Sequence, residues 1–233
     1  MVLRCWNAGC PYGGFNMFDW KFAVNILPKI LASLKITIVA TFAGFFLALV
    51  LGLVLSILSK SRIKPVSRLT NGVVLFIRNT PLLVQLYFIF YVFPEYGLIL
   101  EPLSAGILGL GIHYSTYLSE VYRSGIENVP HGQWEAAKAL NFTRMETWTK
   151  IILPQAIPPI LPVLGNYLIT MFKETPLLSA ITLVEILQTA KIIGAGSFKY
   201  LEGFTIVGII FFILSYPSSR LIKSLDVRLN KKF

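Results

Sequence analysis

The chain has 233 residues, 55% of them hydrophobic and only 14% charged, with a mean hydropathy of +0.69. Soluble domains carry about 25% charged residues, so this composition excludes an ordinary water-soluble fold and places the chain in a membrane. The net charge of +10 would suit nucleic acid, but the positions of the cations matter more than their sum, and they cluster beside apolar runs.

Five segments are long and apolar enough to cross about 30 Å of hydrocarbon at about 1.5 Å per residue. They run from Ile36 to Leu58, Leu69 to Phe93, Leu98 to Val121, Ile152 to Phe172 and Phe204 to Ile222. The expected fold is therefore an all-α integral membrane protein. Lys60, Arg62, Lys64 and Arg68 follow the first span, Arg123, Lys138, Arg144 and Lys150 the third, and Arg220, Lys223, Arg228, Lys231 and Lys232 the fifth. The loop from Pro94 to Gly97, after the second span, has no lysine or arginine. The positive-inside rule then puts the N-terminus outside and the C-terminus in the cytoplasm.

Residues 1–17 read as an irregular outward tail rich in Gly, Asn and aromatics. Within it Cys5 and Cys10 either close a small disulfide loop or remain two free thiols. The first twenty residues lack a continuous apolar core, so the first span is expected to act as the export signal. Phe18 to Leu34 reads as an amphipathic helix lying on the outer interface, which accommodates Lys21, Lys29 and Lys35 on that side. Residues 1–35 thus form an outward tail and interfacial helix, 36–225 the transmembrane domain, and 226–233 a basic cytoplasmic tail.

In the first span Ala40, Gly44, Ala48 and Gly52 recur at steps of four, a spacing that lets another helix approach closely, in this chain or in a dimer. The second span is interrupted by Arg78-Asn79-Thr80-Pro81. Proline removes a backbone hydrogen bond there, and Thr80 before Pro81 is a helix-start signal. Arg78 is then either paired or hydrated at membrane depth, or snorkels to the inner interface. The third span carries His113, either a core histidine or a proton carrier, and ends in Glu120 and Arg123, spaced for a local ion pair. After the fourth span Thr175-Pro176-Leu177-Leu178 repeats the tetrapeptide Thr80-Pro81-Leu82-Leu83 and opens an apolar stretch too short to cross. Both are expected to be helices that begin part-way through the bilayer, with free backbone N–H groups that attract an anion.

Between Val129 and Lys150 the sequence VPHGQWEAAKALNFTRMETWTK is polar and helix-forming. Glu135 to Leu140 are strong helix formers, Glu135 reads as a first-turn carboxylate, and Ala136 and Ala137 leave a shallow surface for another protein. A second short helix starts at Thr143 with a capping box to Glu146, so two short helices meet at Asn141. No phosphate-binding glycine loop, HExxH, GxSxG or Cys/His cluster at metal spacing occurs.

Glu135-Ala136-Ala137, then Asn141, then Ile151-x-Leu153-Pro154 resembles the cytoplasmic signature of permease subunits of bacterial ATP-binding-cassette importers. IRNTPLLVQL from Ile77, SEVYRSGIENVPHGQWEAAKAL from Ser119 and ILPQAIPPILP from Ile152 are similar to the polar amino-acid uptake branch. The resemblance implies a coupling helix, Glu135, Ala136, Ala137, Ala139, Leu140 and Asn141, that docks on a separate ATPase. Asn141 stands where the family usually has glycine and is expected to keep its left-handed turn. The resemblance further implies two ATPase subunits, a second permease protomer, an extracytoplasmic solute-binding protein, and a place in the bacterial inner membrane. This chain itself would hold no cofactor, since ATP and magnesium would sit in the ATPase. The candidates to line a substrate pathway are Arg78, Asn79, Thr80, Gln85, Glu120, Lys173, Glu174 and Thr175, with Lys173 and the Thr175-Pro176 helix start receiving a carboxylate, and Glu120 or Glu174 an ammonium group. Two rivals stay open, a self-sufficient secondary transporter or channel and an accessory membrane protein without a pathway.

Overall fold

The computed structural model describes residues 18–230, and every regular element among them is a helix. The all-α expectation therefore holds.

Helix α1, Trp20–Ser59, is 40 residues long. At about 1.5 Å per residue it spans about 60 Å, twice the hydrocarbon thickness. The segment Phe18 to Leu34 thus does not lie flat as a separate interfacial helix but extends the axis of the first span. Its apolar face has found protein in place of a lipid surface. Ala23, Ile26 and Ile30 are buried against α8, Ile186–Ser197, and α9, Tyr200–Asn230, through Ile186, Ala190, Ile206, Val207 and Ile210. Asp19 caps α1 by accepting from the Phe22 N–H at 3.0 Å, and its own N–H donates to the buried Glu202 at 3.0 Å. Lys199 donates to the other Asp19 oxygen at 2.7 Å and lies over the Phe22 ring.

The second span breaks where expected. Helix α2, Lys64–Asn79, stops at the Thr80-Pro81 step, and α3, Leu82–Tyr87, continues into wider and tighter turns that end at Tyr96. The chain bends by 104° between the two arms. Pro81 itself takes the cap position, while the Thr80 hydroxyl donates back to the Phe76 carbonyl at 2.8 Å. A break at this depth frees carbonyls that lipid cannot satisfy, so side chains must do it. Asn79 donates to Leu75 O at 2.8 Å, and the Gln85 amide reaches both Ile77 O at 2.7 Å and Thr80 O at 2.9 Å across the bend.

Helix α4, Pro102–Glu127, is the axis of the molecule. It is rich in Gly, Ser and Tyr because it faces protein: Gly106, Gly109, Leu110, Gly111, Tyr114, Ser115, Leu118 and Ser119 are all buried. Ala40, Gly44, Ala48 and Gly52 of α1 are buried too, and they pack on α4. A Cβ on Gly44 would stand 3.2 Å from Leu110 Cβ, and one on Gly52 3.0 Å from Leu118 Cβ and the Ser115 carbonyl. Of the two readings of that stripe, packing within the chain is the one realised.

Past α5, His131–Ala139, a single helical run rises from α6, Arg144–Glu146, through a wide turn at Thr147–Ile152 into α7, Leu153–Glu174. The second short helix expected beneath the membrane is therefore the foot of the fourth span. Among the described residues three helices are long and apolar enough to cross by themselves, or four if the bent pair counts as one span; α4 has the length but is not apolar enough to join them.

Gly52→Leu should strain the α1–α4 contact by about 1–3 kcal/mol. Gly72→Leu, where an added Cβ meets nothing within 4 Å, should be neutral. Thermal unfolding in detergent checks this: the first variant should lose several degrees and the second none.

Candidate functional site

Two places concentrate polar chemistry, a cavity among α2, α4 and α7 and the α5 hairpin below it. The cavity, about 390 Å³, is walled by Arg78, Tyr117, Glu120, Arg123, Ile160 and Tyr167, among others. Arg78 is carried there by the last turn of α2, and its guanidinium lies 5.1 Å from the centre of the Tyr117 ring. It makes no ion pair with any described residue. A guanidinium held on an aromatic face keeps its hydrogen-bonding edge free for a planar anion.

Glu120 lies opposite in sign on the same wall. Arg123 donates to its Oε2 from Nε at 3.1 Å and from Nη2 at 2.5 Å, the local pair expected from their spacing. Above them the Tyr114, Tyr117 and Tyr167 rings gather with centroids 5.9–6.2 Å apart. The Tyr114 hydroxyl donates to Glu174 Oε2 at 2.8 Å. Tyr117 and Tyr167 escaped the sequence reading. The recurrence of Tyr114, Tyr117, Glu120 and Arg123 at steps of three along one helix was the available signal. His113 is buried edge-on to Tyr114 and tilted against Tyr117, and its Nδ1 has no partner among the described residues.

The remaining sequence candidates fall elsewhere. Asn79, Thr80 and Gln85 direct their side chains to the carbonyls of the break. Lys173 is exposed and does not pair with Glu174. Thr175 is fully buried, its hydroxyl donating to Phe172 O at 2.7 Å, and α7 runs into the tight turn Thr175–Ile181 without interruption. The free helix start expected there does not exist, because Thr-Pro within a continuing helical path leaves no uncapped turn. The start of the half-membrane segment comes later, at α8, and the chain closes it internally: buried Glu185 accepts from the N–H groups of Leu187 at 2.9 Å and Gln188 at 2.7 Å.

In the hairpin α5 begins at His131 behind Pro130, so Glu135 sits beyond the first turn and not within it. Glu135, Ala136, Ala139 and Leu140 are exposed, Leu140 by 67%. Ala137, expected on the outer surface, is 1% exposed and faces inward. The reason lies in the supporting layer, where Trp134 packs edge-on to Trp148, centroids 5.4 Å apart, over Val129, Ile152 and Ala156. Asn141 has φ +55°, the left-handed turn expected of it. Around it Phe142 N–H bonds to Ala137 O at 3.0 Å and Asn141 N–H to Lys138 O at 3.1 Å, the paired bonds that close a helix through a left-handed residue. The capping box is present, with Thr143 Oγ1 accepting from Glu146 N–H at 3.3 Å and Glu146 Oε2 from Thr143 N–H at 3.1 Å. Lys150 donates to Glu146 Oε1 at 2.9 Å and, with Thr143, holds that carboxyl down at about 2 against an ordinary 4.5.

Comparison with known proteins agrees with this anatomy. The family described as "Binding-protein-dependent transport system inner membrane component" matches residues 51–231. A probable amino-acid ABC transporter permease protein of Sinorhizobium fredii is 49% identical over 92% of this chain and 93% of its own length. A probable amino-acid permease protein of Bacillus subtilis is 33% identical over 86% and 91%. The solved structure described as "Crystal structure of an amino acid ABC transporter with histidines" superposes with a TM-score of 0.86 at 33% identity, over 91% of this chain and 99% of that one.

Asn141→Gly should leave the hairpin unchanged, whereas Asn141→Val should open it by resisting a positive φ; limited proteolysis between residues 138 and 146 reads the difference. Glu146 has a depressed pKa, so its support is full above about pH 4.5 and lost as pH falls toward about 2. Amide exchange at Glu146 should therefore be protected alike at every pH above about 5, intrinsic rates allowed for, and lose protection only in acid.

Proposed function

The chain belongs to the family of binding-protein-dependent transport inner-membrane components, and from that premise we propose that it is the permease of an ATP-driven importer for a polar amino acid. It works by alternating access, in a complex of two permease protomers, two ATPase subunits and an extracytoplasmic solute-binding protein. ATP and magnesium belong to the ATPase. The N-terminus lies outside and the C-terminus in the cytoplasm of a bacterial cell, and α4 supplies the fifth crossing; the basic residues from Lys60 to Arg68 and from Arg220 to Arg228 support that orientation.

The observation that carries the substrate reading is the cavity in which Arg78 and Glu120 face one space of about 390 Å³. An amino acid brings a carboxylate and an ammonium group, and these two side chains offer the complementary charges. Arg78 receives the carboxylate, because its guanidinium is unpaired and planar. Glu120 receives the ammonium on the oxygen that Arg123 leaves open. Lys173, Glu174 and Tyr114 border the route above this cavity, and Asn79, Thr80, Gln85 and Thr175 shape its walls by holding the backbone.

Coupling runs through the hairpin. Glu135, Ala136, Ala139, Leu140 and Asn141 form the surface that docks on the ATPase, and Ala137 holds that surface onto the tryptophan layer. A long charged residue at Ala136 would detach the ATPase and leave the permease in the membrane.

Reconstitution of the complex in proteoliposomes tests the reading. Arg78→Gln should raise the KM for uptake about tenfold or more, the scale of a lost charge-assisted hydrogen bond, while Lys173→Gln changes it little. An unchanged KM for Arg78→Gln would remove the carboxylate site, and ion-driven uptake by this chain without an ATPase would replace the importer with a secondary transporter.

A further inference from the structure

Arg123 belongs to two ion pairs at once. Besides its two bonds to Glu120, its Nη1 donates to Glu127 Oε2 at 2.8 Å. The other oxygen of Glu127 is held by Lys60, the residue that closes the inner end of α1. Glu120 and Glu127 stand seven residues apart on α4, two turns along one face, with Arg123 between them and within reach of both. The result is a line of alternating charge, Glu120, Arg123, Glu127 and Lys60, running from the cavity wall to the junction of α1 and α2. Beyond that junction lie only a short turn and then α2, whose Ser67 donates to Ser59 O of α1 at 2.6 Å and which carries Arg78 back into the cavity. The line and α2 therefore form a closed circuit around the site.

We infer that Arg123, Glu127 and Lys60 are positioning residues that couple occupancy of the cavity to release of the inner end of α1 from α4. This rests on the reading of Glu120 as the seat of the substrate ammonium. An ammonium at Glu120 takes over part of the negative charge that holds Arg123. Arg123 then turns wholly to Glu127 and competes with Lys60 for that carboxylate. The Lys60 tie weakens, and the α1–α2 junction is free to move with α2 and Arg78.

Two features suit the line to exchange. All four side chains are between 38% and 49% exposed, so each pair is hydrated and screened, and the alternative pairings differ little in energy. Glu120 takes both Arg123 bonds on Oε2, and its Oε1 accepts nothing from the described residues. The arriving cation thus gains a contact that the empty site lacks, which is the differential affinity a population shift requires.

The test uses the complete transporter in proteoliposomes, with its ATPase and binding protein. Lys60→Gln and Glu127→Gln should each raise ATP hydrolysis without substrate by about two- to fivefold, the scale of an exposed ion pair, and reduce stimulation by substrate in proportion. The KM for uptake should stay within about twofold of the parent, and Lys60→Arg should behave as the parent. Unchanged basal hydrolysis in both glutamine variants, or equal loss of uptake and hydrolysis that Lys60→Arg does not restore, would overturn the coupling. Glu120→Gln separates this from the reading beneath it. A raised KM there with unchanged basal hydrolysis in Lys60→Gln leaves the cavity standing and removes the coupling, whereas an unchanged KM removes both.

Discussion

Close approach of α1 to α4 is the contact on which the rest of this molecule depends. In a bilayer apolar surface has little to gain by leaving lipid for protein, so helices associate where small residues let backbones come near. Ala40, Gly44, Ala48 and Gly52 supply that on one side, and Gly111, against Leu47, on the other. Leu47 of α1, Leu86 of α3 and Leu178 beyond α7 fill the space left on α4. With α4 fixed in this way, one of its faces presents Tyr117, Glu120 and Arg123 to the cavity.

The same economy governs the broken segments. A helix that stops inside a bilayer exposes backbone groups that only protein can satisfy. At the bend between α2 and α3 the side chains of Asn79, Thr80 and Gln85 serve the freed carbonyls, and at the start of α8 Glu185 serves the freed N–H groups. Polar residues at membrane depth thus divide into those that complete the backbone and those, such as Arg78, whose hydrogen-bonding edge is left over.

That division marks what could be read from the chain alone. The small-residue stripe, the break at Thr80-Pro81, the left-handed Asn141, the Thr143–Glu146 box and the Glu120–Arg123 pair are set by neighbours within about one turn, so residue order reveals them. The clustering of Tyr117 with Tyr167 depends on how α4 meets α7, fifty residues apart, and no local rule contains it. Phe18 to Leu34 looked interfacial because an amphipathic face does not say whether lipid or protein covers it. Thr175-Pro176 misled for the opposite reason: the tetrapeptide it shares with Thr80-Pro81 is local, but whether the chain bends there is decided by the packing of Thr175 and Leu178 in the core.

The helical run from Arg144 to Glu174 joins the exposed hairpin to the tyrosine cluster without an intervening loop. Its foot is clamped by the Thr143 cap and the Trp134–Trp148 contact, and Tyr167 rides on it about 35 Å away. Pro158, Pro159 and Pro162 lie within the run between the foot and Tyr167, and each removes a backbone hydrogen bond, so the shaft is continuous but built to bend at its middle.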